Sequence, residues 1–132
     1  MKKFIRILAA LAVLFVVVSC RKYSSNVIYP APQRTFRFQL YTNQDFSSNT
    51  SVINFSIFIR HANRILFDSA FASMRIQDIP DALHKLVIEK TVNDNSDLAA
   101  GFNYEIQDVG NSWYVDTSKA GNPFKIIDYS FQ

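Results

Sequence analysis

Reactive side chains are few in this 132-residue chain: two histidines, one cysteine and a scatter of serines and carboxylates. His61 and His84 each lack a partner at ligand spacing, such as a second histidine four residues on, so neither zinc binding nor a nucleophile–histidine–acid triad has sequence support. They read as a turn residue and a strand or loop residue. The serines could act as nucleophiles, but none sits in a Gly-x-Ser-x-Gly elbow. The sequence therefore prompts no enzyme, and a hydrolase with an unlocated site is the distant alternative. Asn93-Asp94-Asn95-Ser96-Asp97 carries oxygen ligands at alternate positions, as a calcium loop does. Leu98 stands where such a loop needs its sharp-turn glycine and Tyr104 where it needs its bidentate glutamate, so the match fails. Asx turns account for the same composition, and no metal or cofactor is expected.

Two further spots could make contacts without doing chemistry. Trp113 and Tyr114 are adjacent on a predicted strand and must point to opposite faces. Burying Trp113, with Tyr114 at the boundary, is the ordinary expectation for so large a ring. The functional alternative exposes one ring near Asn111, where it could stack on a sugar or a partner. The second spot is Asp68-Ser69-Ala70, which resembles the short Asp-Ser/Thr-apolar signal for O-glycosylation in Bacteroidota envelope proteins. A turn serine following a strand is the plainer account of Ser69.

Cys20 has the most definite chemistry. Lys2, Lys3 and Arg6 precede Ile7–Val18, twelve residues with no polar side chain. That is the basic-then-apolar layout of a secretory leader, and it falls short of the roughly 20 residues a membrane span requires. Val17-Val18-Ser19-Cys20 resembles a bacterial lipobox, with Val17 where leucine is usual. The resemblance implies cleavage after Ser19 and a covalent lipid on the Cys20 thiol, with diacylglyceryl and palmitate-type chains. At about 0.8 kcal/mol per buried methylene, several acyl chains would hold the protein on a membrane without a second anchor.

Removing 1–19 leaves eleven basic and eleven acidic side chains, so the basic isoelectric point belongs to the leader and no surviving block argues for nucleic acid. With no other cysteine, the mature fold has neither disulfide nor thiolate metal site. Residues 20–33, with Pro30 and Pro32, read as an extended tether. Residues 34–132 suffice for one domain, with a core drawn from the chain's twelve phenylalanines.

Period-two alternation positions these residues. It places strands at Phe36–Tyr41, Ile53–Arg60, Arg64–Asp68, Met74–Ile76, Lys85–Val92, Phe102–Gln107, Trp113–Val115 and Lys125–Phe131, with a loop over Asn93–Ala100 and a turn at Gly110-Asn111. The Ile53 strand is predicted to be central, and His61-Ala62-Asn63 to close a hairpin onto Arg64. Ala82–Thr91 could also be helical from Leu83, Leu86 and Val87, but its β-branched residues favour strand. Seven or eight short strands with no clear helix predict an all-β, single antiparallel sandwich.

Phe38-Gln39-Leu40-Tyr41, Phe67-Asp68-Ser69, Asp78-Ile79-Pro80, Lys85–Lys90, Gly101-Phe102-Asn103-Tyr104 and Val109-Gly110-Asn111-Ser112, together with the lipobox, resemble the small uncharacterised lipoproteins of Bacteroidota. The resemblance implies a transthyretin-like or immunoglobulin-like sandwich without an assigned activity. It also implies an outer-membrane location, held by the lipid. Arg21-Lys22 is not the acidic stretch associated with surface display in that group, which favours the periplasmic side. The expected function is a non-catalytic interaction or structural module, with an envelope protein or a glycan as partner. The alternative is small-ligand or glycan binding through the aromatic patch.

Overall fold

A computed structural model describes residues 30–132; Val17, Val18, Ser19 and Cys20 lie outside the described residues. Eight strands form two sheets: β1 (Gln33–Thr42), β2 (Val52–His61), β3 (Arg64–Ala70), β4 (Met74–Arg75), β5 (Leu86–Asn93), β6 (Leu98–Ile106), β7 (Gly110–Ser118) and β8 (Phe124–Phe131). One sheet runs β5-β1-β8. The other runs β3-β2-β6-β7, with β4 also paired to β2. The fold is an all-β sandwich.

Alternation builds the core. Phe36, Phe38 and Leu40 of β1, together with Ile127 and Phe131 of β8, face Ile53, Phe55, Ile57 and Ile59 of β2 and Leu98, Ala100 and Phe102 of β6, all buried. Phe38 meets Phe102 edge-on, with centroids 5.7 Å apart and planes at 90°. Such contacts add roughly 0.5–1.5 kcal/mol beyond the area they bury. β2 is central, flanked by β3 and β6. The hairpin at His61-Ala62-Asn63 forms as predicted, with Ala62 at φ 47° and His61 paired with Arg64.

Four local expectations change. β1 and β8 pair in parallel, so the sandwich is not wholly antiparallel. The strand expected over Met74–Ile76 stops at Arg75, and Ile76–Asp78 turns as a 3₁₀ helix that inserts Ile76 and then Ile79 into one end of the core. β6 begins at Leu98, inside the expected loop, because Leu98 and Ala100 continue the buried face of Phe102. Gly110 is the first residue of β7, and the turn is made by the preceding residues, with Asp108 at φ 63°. The ambiguous Ala82–Thr91 segment contains strand β5, whose Leu86, Ile88 and Val92 pack on the core. Gln33, read as tether, opens β1.

Candidate functional site

The aromatic pair is resolved by the β6–β7 register. Phe102, facing the core, pairs with Tyr114, while Asn103, facing outward, pairs with Trp113. Tyr114 therefore turns inward and stacks on Tyr129, with centroids 4.9 Å apart and planes at 22°. Trp113 is 70% exposed on the outer face, which overturns the expectation that it is core. Among the described residues no aromatic ring stacks on it.

Two polar rows cross the sheet beside this ring. Ser56, Asn103 and Trp113 lie in one, and Asn54, Glu105 and Asn111 in the next. They line a shallow depression of about 380 Å³, whose far side includes Ala70. Three strands spaced about 4.8 Å and two residues rising about 3.4 Å each make a platform roughly 10 by 7 Å. That suits one or two sugar rings. Ser73 donates from its hydroxyl to Asn54 Oδ1 at 2.6 Å, leaving the Asn54 NH₂ as a donor toward the depression. The lining carries one charge, Glu105, and no cation. This combination can grip a polyol, with the indole taking an apolar C–H face and the amides and carboxylate taking hydroxyls.

Asn111 lines the same depression as Trp113. Asn54, Ser56, Asn103 and Glu105 do not stand out in the sequence, since outward positions of a half-buried strand are commonly polar. The available signal was their registration with an outward tryptophan, and that depends on which strands pair.

Ser69 is not in a turn. It lies within β3, paired with Ile57, and Asp68, Ser69 and Ala70 are all exposed on this edge strand. His61 is exposed at the hairpin, and His84 Nδ1 lies 2.8 Å from Asp81 Oδ1 in an exposed loop. The Asn93–Asp97 segment binds the fold to itself. Asp94 Oδ1 accepts the Ser96 N–H at 2.7 Å together with the Ser96 hydroxyl, and Oδ2 accepts Arg64 at 2.8 Å. Asp97 takes Lys119 Nζ at 2.9 Å and the Ala120 N–H at 2.8 Å. The Ser96 bonds first, and then the Arg64 charge, hold Asp94 below the usual carboxylate range; Lys119 does the same for Asp97. Among the described residues no cluster of three or more His, Cys, Asp or Glu side chains could hold a metal ion.

Comparison of the chain with protein-family models, with curated proteins and with solved structures gives no match.

Proposed function

We propose that this protein is a lipid-anchored envelope protein whose sandwich is a non-catalytic carbohydrate-binding module, using the outer face of β2, β6 and β7. The exposed Trp113 beside two registered polar rows carries this reading. A large ring costs solvation to leave in water, and a polar cradle in register with it is the chemistry of polyol recognition. Glu105 as the one charge on the platform disfavours acidic sugars, so the ligand class is neutral or amino glycans. The anchor reading rests on the lipobox at Cys20, and the absence of an acidic stretch after it supports the periplasmic side of the outer membrane.

Of the two sandwiches that the resemblance allows, we favour the transthyretin-like one. An immunoglobulin sandwich places its first strand beside its second, whereas here β1 lies between β5 and β8 and is in a different sheet from β2. Ser69, exposed on an edge strand, could carry an O-linked sugar without displacing packed residues, and the intact mass of the native protein reports it.

Binding of the Cys20→Ala protein to a glycan array tests the module. Retention of neutral or amino glycans, weakened at least tenfold (about 1.4 kcal/mol) by Trp113→Ala, is expected. Equal retention by both proteins would remove Trp113 from the site.

A further inference from the structure

We infer that the end of the sandwich from which the tether leaves is a cationic pole that docks on anionic phospholipid and sets the orientation of the domain on the membrane. β1 starts at Gln33, opposite Asn93, and Thr35 bonds to Pro123. The same end holds the β2–β3 hairpin, since Arg64 reaches Asp94, and the β7–β8 loop, since Lys119 reaches Asp97. Dividing the strands at their midpoints, with Glu89 counted beside its partner Arg37, puts seven of the nine basic side chains of residues 30–132 in this half, against five carboxylates. The distal half keeps only Arg75 and Lys85, against Asp45, Asp78, Asp81, Glu105, Asp108 and Asp128. A chain with no net charge after Cys20 is thus strongly polarised along its length.

Two of the basic groups on this half are not spent on ion pairs, Arg60 exposed and Lys90 half-buried. Among the described residues, Arg60 and Lys90 have no carboxylate partner; each lies over a ring, Phe58 at 5.1 Å and Phe67 at 4.4 Å. Ile65, 64% exposed on the same hairpin, adds an apolar contact at headgroup depth. Each basic residue near an anionic surface contributes roughly fivefold in affinity, which is weak for a free domain. The short covalent link that the anchored reading puts between Cys20 and the start of β1 at Gln33 changes that. Linkage makes the pole's contact with the surface intramolecular, at an effective concentration on the order of millimolar. Attraction at one end and repulsion at the other then stand the domain upright. The Trp113 platform lies on the side of the sandwich and stays clear of the bilayer.

The tether's part in this rests on the anchored reading, while the pole's affinity can be measured without the lipid. The experiment is co-sedimentation of the Cys20→Ala chain, beginning at residue 20, with phosphatidylglycerol and phosphatidylcholine vesicles across a salt series. Binding to phosphatidylglycerol alone, falling with salt and at least tenfold weaker in Arg60→Glu/Lys90→Glu, is expected. Arg75→Glu, at the distal end, should bind as the parent does. Far-ultraviolet circular dichroism confirms that each variant is folded. Equal binding to both lipids, or equal loss in Arg75→Glu, would overturn the pole. Tighter binding to heparin than to phosphatidylglycerol at matched salt would also overturn it, in favour of a polyanion. Membrane fractionation of the native protein reports the Cys20 anchor separately.

Discussion

Arg34 is the residue whose role is least evident from its type. It is 1% exposed, yet among the described residues no carboxylate forms an ion pair with it. Its guanidinium instead donates to the carbonyls of Asn122 at 2.9 Å, Lys119 at 2.8 Å and Ser118 at 3.2 Å, to the Ser118 hydroxyl at 2.7 Å, and to the Ser96 carbonyl. A planar fork with five donors matches such a ring of acceptors, which an ammonium cannot. It ties the Asn93–Asp97 and Lys119–Asn122 loops to the first strand. Arg34→Met should cost about 3 kcal/mol or more in chemical denaturation, because carbonyls lose their donors in a dry site, and Arg34→Lys should rescue little of it. Sequence reading started the strand at Phe36 for the same reason. An arginine in phase with Phe36, Phe38 and Leu40 looks like the end of the buried face, and its acceptors lie 62 to 88 residues away. Trp113 was misplaced by similar logic, since size argues for burial and only the Phe102–Tyr114 pairing decides otherwise.

At the scale of elements, alternation marked nearly every strand but could not choose partners. The Ile53–Ile59 run declared a central strand because its length and continuous burial need cover on both edges. Nothing in Ile127, Tyr129 and Phe131 declares that β8 lies parallel to β1, because side-chain period is the same in either direction. Gly101 shows what pairing demands. A side chain there would enter the backbone of β7, with its Cβ 2.9 Å from the Tyr114 carbonyl carbon and 3.0 Å from Val115 Cα. Opposite Gly101, Phe58 is only 6% exposed although it lies on the outer face, so the glycine also leaves room for packing across the sheet. Gly101→Ala should destabilise by roughly 1–3 kcal/mol through forced separation of β6 from β7. Because Asn103 and Trp113 are two residues away, it should also weaken glycan binding in protein that remains folded, as thermal melts and array binding together would show.

For the whole molecule, the carboxylates set the response to acid. Asp81, Asp94, Asp97 and Asp116 all lie below the usual range, through His84, Ser96, Lys119 and Lys125 respectively as the leading hydrogen-bond partners. Depressed folded-state values mean that the unfolded chain binds protons first. The stabilisation is therefore present above the unfolded carboxylate value near 4, and is lost as pH falls through the folded values below it. Thermal melts should be flat from pH 7 to about 5 and drop below 4. At the other extreme, burial first and the Tyr104 hydroxyl second hold Tyr129 protonated beyond the ordinary tyrosine range. The same core that fixes Tyr129 and Tyr114 inward leaves Trp113 outside, and the chain has one tryptophan, so the proposed site reports on itself. Titrating the Cys20→Ala protein with neutral and amino glycans while following that single emission tests the carbohydrate-binding reading most directly. A saturable quench or blue shift with at least one glycan of this class, and none with acidic sugars, is predicted. Emission that stays flat across the neutral and amino panel would contradict it.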